Sequence, residues 1–195
     1  MSGDPDGGRV HRAARRSVDG PSGVRLWAPT LARASGGDIM AAMDDHRYPL
    51  GRFKAPDEYT PALCAEYIAQ VDEAPRRLRA AVARLSAEQL QTPYRDDGWT
   101  VAQVVHHLPD SHMNSYVRFR LALTETEPTV KPYDESAWAR LPDAAGSDLE
   151  PSLVLLDGLH RRWINLLRRL TPDDWRRCLI HPERGRVTLD NDLAL

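Results

Sequence analysis

Apolar residues recur every three or four positions in three long stretches of this chain, and each stretch predicts a helix with one buried face. The first begins at Thr60-Pro61, a cap residue followed by proline at the first helical position, with Leu63, Tyr67, Val71, Leu78, Val82 and Leu85 as its stripe. Pro75 lies inside it and predicts a kink. The second opens at Thr100, where Gln103 supplies the partner of a capping box, and runs to about Thr124. Val101, Val105, Leu108, Phe119 and Leu123 share its apolar face. The third spans about Asp148 to Leu170. Its residues Leu149, Leu153, Leu156, His160, Trp163, Leu167 and Leu170 alternate steps of four and three, a coiled-coil-like seam.

Leu85-Ser86-Ala-Glu-Gln89 follows the first helix, and Leu170-Thr171-Pro-Asp-Asp174 follows the third. This weak repeat of a long helix plus a short capped one predicts a pseudo-symmetric four-helix bundle, with Glu127 to Gly146 as a long crossover. His181-Pro-Glu-Arg-Gly185 reads as a turn, and Thr188-Leu-Asp-Asn191 as the start of a fourth helix. The sequence stops at Leu195, barely a turn later. The expectation is an all-α fold whose fourth helix is largely missing, with apolar stripes uncovered on one side.

The second helix also carries a polar row: Gln103, His107, Asp110 or Ser111, Asn114 and Arg118. Polar groups turned into a bundle need partners, so such a row marks a site; the same row equally fits a solvent face. His106, His107 and His112 crowd this helix, and imidazole is the commonest metal ligand. His107 and His112 are off one face, however, so spacing does not make a self-contained metal site. Pro109 sits beside them in the helix interior, where proline costs roughly 3 kcal/mol if unrelieved. His160, on the seam of the third helix, reads as a hydrogen-bonded core histidine. Lys131 and Tyr133 lie either over a pocket mouth or in an ordinary exposed loop.

Of 195 residues, 42% are hydrophobic and 28% charged, which suits one domain with a real core. Residues 1–46 are rich in Gly, Pro, Arg, Asp and Ala without an apolar period, and are expected to be disordered or a non-native extension, with Met40 and Met43 as alternative starts. The helical domain is expected over 47–195. The net charge of −2, with both signs mixed along the chain, argues against a nucleic-acid partner. No apolar run approaches the roughly 20 residues that cross a bilayer, and the first residues do not read as a signal peptide. Cys64 and Cys178, without a CxxC pattern, read as reduced packing thiols in a cytoplasmic protein.

Several of these segments together resemble the DinB-like four-helix-bundle family, and more closely its bacillithiol-transferase branch, long labelled metal-dependent hydrolases. The segments are Tyr48-Pro-Leu-Gly, Thr92-Pro-Tyr-Arg-Asp-Asp-Gly-Trp-Thr-Val, Gln103-Val-Val-His-His-Leu, Asp110-Ser-His-Met-Asn-Ser-Tyr, Lys131-Pro-Tyr-Asp-Glu, Leu159-His-Arg-Arg-Trp and His181-Pro-Glu, in order from Tyr48 to Leu195. The resemblance implies a divalent metal, zinc or nickel, held by three histidines. One falls on His107. The other two belong one turn apart on the fourth helix, beyond Leu195, so the resemblance implies a chain that lacks two of three ligands and is inactive as it stands. Asp110, Asn114 and Arg118 are the expected neighbours of metal or substrate.

The implied chemistry uses a low-molecular-weight thiol and a small electrophile. A thiol at the open metal position loses its proton and attacks the electrophile; the hydrolase version puts water there, its pKa lowered to about 7. The alternative is a non-catalytic bundle whose open side binds a partner or a second copy of itself as a homodimer.

Overall fold

The computed structural model describes Tyr48 and residues 51–194. The expectations for residues 1–46 lie outside the described residues. The elements in order are α1 (Pro61–Val82), α2 (Ala87–Leu90), α3 (Val101–Thr124), α4 (Glu135–Trp138), α5 (Glu150–Leu167), α6 (Pro172–Trp175), β1 (Cys178–His181), β2 (Gly185–Thr188) and α7 (Leu189–Ala194).

Local signals place the helix starts. The Thr60 side chain accepts the Leu63 N–H ahead of α1. Thr100 and Gln103 satisfy each other's backbone N–H groups at the start of α3, and the same reciprocal pair recurs as Ser86 with Gln89 and Thr171 with Asp174. Each box removes two unpaired donors from a helix end. At the start of α5 the N-cap residue Leu149 has no capping side chain, and the Asp148 carboxylate accepts the Glu150 N–H at 3.2 Å. Both α1 and α3 continue through their prolines, Pro75 and Pro109, which are buried.

Helix α5 packs against α1 and against α3, and the short α7 touches α1 and α3 as well. The core has two parts. Leu90, Ala102, Val105, Leu149 and Leu153 fill one. The larger gathers Phe119, Trp163, Leu167, Leu179 and Leu189 around the second half of α3. Arg79–Glu150 and Arg168–Asp72, each 2.7 Å, join α1 to α5 at the surface; exposed pairs of this kind add little.

The turn expected at His181 to Gly185 is the tip of a β-hairpin. Cys178 pairs with Thr188 and Leu179 with Val187, antiparallel. The crossover joins from the other side: the Val130 N–H donates to the Ile180 carbonyl at 3.0 Å. Gly185 closes the hairpin at φ +73°, which glycine adopts without strain. Strands of four residues are too short to show alternation, but β-branched Ile180 and Val187-Thr188 flanking Pro-Glu-Arg-Gly are a hairpin signal. This hairpin brings His181 back beside α3.

Candidate functional site

The clustered histidines of α3 part ways. His106 is buried and structural: its Nε2 donates to the Gly146 carbonyl at 3.0 Å, which leaves Nδ1 to accept the Ser152 hydroxyl at 2.8 Å. It ties α3 to the end of the crossover and to α5. His106→Ala is expected to cost about 2 kcal/mol, because it removes two hydrogen bonds and leaves the Ser152 hydroxyl without its acceptor; the urea midpoint checks this.

His112 looks inward. The Val71 carbonyl can only accept, so His160 Nδ1 carries a hydrogen toward it at 2.6 Å. His160 Nε2 is then an acceptor, and His112 Nδ1 donates to it at 2.6 Å. Burial, with His160 beside it, pushes His112 down to about 4. Burial also lowers His160, against the opposing pull of the Val71 carbonyl. The two rings form a neutral chain of hydrogen bonds across α3, α5 and α1. His160 is thus a hydrogen-bonded core residue.

His107 is left. Neither ring nitrogen has a hydrogen-bond partner among the described residues. Its ring sits edge-on to Trp99, centroids 4.8 Å apart, and faces Tyr133 at 6.5 Å. Further along the same helix, Ser111, Ser115 and Arg118 line a cavity of about 530 Å³. Tyr133 and Glu135 of the crossover, His181 and Arg184 of the hairpin, and Asp192 of α7 complete its walls.

The polar row of α3 therefore runs along one side of the helix toward the crossover and hairpin. Its first member, Gln103, donates to the Ala139 carbonyl at 2.7 Å. Arg118 lines the cavity. Asp110 is half-buried; burial raises its carboxyl, while His107 pulls it back. Asn114 is used locally, its amide donating to the Asp110 carbonyl one turn earlier at 2.8 Å. Tyr133 is a cavity residue, whereas Lys131 is exposed and outside the wall.

Ser136 and Asp192 of the wall are not picked out by the sequence, and Ser115 and Arg184 stand there only inside longer segments. His181 was read only as part of a turn. No local pattern marks His181, Arg184 and Asp192 as wall residues, because the hairpin and α7 carry them to α3. The Asp192 side chain is 2% exposed. Arg184 donates to its Oδ1 at 3.1 Å, and its Oδ2 is buried with no partner. Burial raises this carboxyl, against Arg184 and Arg118. The Tyr133 hydroxyl is also buried, and Ser111 faces it without hydrogen-bond geometry. Burial, then the nearby Glu135, pushes it up to about 12. Burial, Arg184 and Arg118 together push His181 down, so it favours the neutral form.

Residues 70–194 match the DinB superfamily. The chain belongs to the DinB superfamily. It is 53% identical over 150 residues to a Geobacillus thermodenitrificans protein named "Putative metal-dependent hydrolase", a match covering 77% of this chain and 84% of the relative. A Bacillus mycoides protein of the same description is 49% identical over 153 residues, covering 78% of this chain and 88% of that one. Among solved structures, this DinB-superfamily chain is similar to YfiT from Bacillus subtilis, described as a probable metal-dependent hydrolase with an unusual four-helix bundle topology. That match has a TM-score of 0.74 and 47% identity, and covers 77% of this chain and 86% of YfiT. The DinB-type four-helix bundle expected from the sequence is the fold observed.

These relatives carry the description metal-dependent. Among the described residues, no group of three or more His, Cys, Asp or Glu side chains could hold a metal ion. The ring neighbours of His107 are Trp99 and Tyr133, not donors arranged around a point. A catalytic zinc takes about three protein ligands, so the described residues offer one ligand position and do not by themselves fit the metal. No helix among them is long and apolar enough to cross a membrane.

Proposed function

We propose that this protein is a small-molecule enzyme of the metal-dependent hydrolase kind, with its reaction centre at His107 and the adjoining cavity as its substrate site. The observation that carries this reading is the division of labour on α3. His106 spends both ring nitrogens and His112 its Nδ1 inside the fold, and His107 keeps both free beside a cavity lined by Arg118, Tyr133 and His181. The same residue is the ligand that the resemblance implies, with zinc or nickel as the metal. Donors beyond the described residues are needed to complete the set. Thiol S-transfer is the second reading, supported by the segments shared with the bacillithiol-transferase branch; it uses the same cavity with a low-molecular-weight thiol in place of water.

Metal retention tests the centre. The 195-residue chain, equilibrated with zinc or nickel and then desalted, is expected to hold well below one metal per chain by elemental mass spectrometry. Weak binding followed by calorimetry is expected to fall by roughly tenfold or more in His107→Ala and to survive in His112→Ala. One tightly held metal that persists in His107→Ala overturns the placement. Product mass then separates the two readings, since hydrolysis adds a water and transfer adds the thiol.

A further inference from the structure

The cavity beside His107 holds two opposite charges whose hydrogen-bonding capacity is not used up. Arg118 reaches its wall from α3 and makes no hydrogen bond or ion pair among the described residues, although a guanidinium carries five donors. Asp192 reaches the same wall from α7, with a side chain 2% exposed and Oδ2 buried without a partner. Leaving a buried carboxylate oxygen unpaired is costly. The two groups act on each other electrostatically across the cavity but do not meet as an ion pair. The Tyr133 hydroxyl, also buried and unpartnered, and the Ser111 and Ser115 hydroxyls share this wall.

The charge balance of the wall selects among ligands. Asp134, Glu135, Glu183 and Asp192 stand against the guanidiniums of Arg118 and Arg184, and His181 favours its neutral form. Acid groups outnumber basic ones, so a phosphate or a dicarboxylate meets net repulsion. A simple cation leaves Arg118 unanswered and is repelled by it. A ligand bearing one charge of each sign answers both groups.

We propose that this cavity binds the α-amino-carboxylate head of a small zwitterion, its carboxylate on Arg118 with the Tyr133 hydroxyl, and its ammonium on Asp192 Oδ2. The substrate of the site would then be an amino acid or a small molecule that retains a free amino-acid head. This inference rests on the proposed function only in taking the cavity as the substrate site next to His107.

The test is an NMR titration of the metal-free 195-residue chain with L-alanine, propionate, ethylamine and inorganic phosphate. Propionate is alanine without its ammonium, and ethylamine is alanine without its carboxylate. Alanine is expected to bind, and each half-ligand to bind weaker by roughly tenfold or more. Arg118→Gln and Asp192→Asn are each expected to weaken alanine by a similar factor, and Lys131→Ala, outside the wall, to leave it unchanged. Asp192 is buried and its variant can fail to fold; the Arg118 variant and the half-ligand comparison on the unaltered chain decide the matter without it. Propionate or phosphate binding as tightly as alanine would make this an anion site, and ethylamine doing so a cation site. Either result, or no shift from any probe with a well-dispersed spectrum, overturns the proposal. Because no metal is present, failure here leaves the His107 assignment standing, and failure of the metal test leaves this one standing.

Discussion

Phe119→Ala is expected to lower the unfolding free energy by about 3–5 kcal/mol. The ring is fully buried on α3 and meets Trp163 of α5 edge-on at 5.4 Å and Trp175 of α6 at 6.2 Å. Leu179 of the hairpin and Leu189 of α7 belong to the same core. Five elements thus share the space around one side chain. No single one of them can move to fill the void without leaving its other contacts, so the cavity cost adds to the lost burial. Against a typical total of about 5–15 kcal/mol, this is a large fraction of the stability. In urea the midpoint should fall by roughly 2 M at an unchanged slope. Met113→Ala, at an exposed position of the same helix, is the comparison and should change stability by less than about 0.5 kcal/mol. A loss below about 1 kcal/mol at Phe119 would mean that the hairpin and α6 are not seated on α3 as described.

Acid should destabilise the protein between about pH 6.5 and 4, with His112 as the main contributor. Its folded value is lowered from 6.5 to about 4, first by burial and then by His160. In that window the unfolded chain binds a proton that the folded one refuses. Stability therefore rises with pH, is fully present above the unfolded value, and is lost as pH falls toward the folded one. A shift of this size corresponds to on the order of 3 kcal/mol. Protonating His160 breaks the chain, because a second hydrogen on its Nε2 would face the one on His112 Nδ1, and protonating His112 places a charge in a buried site beside His160. His160 and His181, both lowered with burial as the first cause, act in the same direction. Asp110 and Asp192, both raised by burial, act in the opposite one: they favour the folded state while protonated and offset part of the loss at the acid end. Urea midpoints at pH 7, 6, 5 and 4.5 measure the net slope. His112→Asn, which keeps a donor near the Nδ1 position, should be less stable at pH 7 and show a flatter profile. A wild-type midpoint that stays level from pH 6.5 to 4.5 would refute the neutral histidine pair.

Much of the architecture was legible because its signals are local. Thr100 with Gln103, and Ser86 with Gln89, close their boxes within one turn. The apolar steps along Leu149 to Leu167 lie on one face of α5 whatever packs against it. The repeat of long helix and short capped helix followed from the same patterns, and with them the bundle. The hairpin was only half legible. Its turn residues are visible, but strands of four residues carry too few alternations, and what holds them is burial of Leu179 together with pairing to the crossover at Val130.

The site was legible as a row and not as a set. Helical spacing alone puts His107, Ser111 and Arg118 along one side of α3. It does not say which of His106, His107 and His112 is spent on structure, because their partners, Ser152, Gly146 and His160, lie more than thirty residues away in sequence. Asp192 and Arg184 become cavity residues only when the hairpin and α7 fold back onto the bundle. The sequence by itself determined the helices, their buried faces and the four-helix plan, since each depends on residues within a turn or two of one another; His107 stood out as a ligand only through the family resemblance. Tertiary structure alone decided which histidines are core residues, and that an unpaired guanidinium and a buried carboxylate with one unpartnered oxygen share one cavity. Those facts depend on contacts between distant segments, and no local period encodes them.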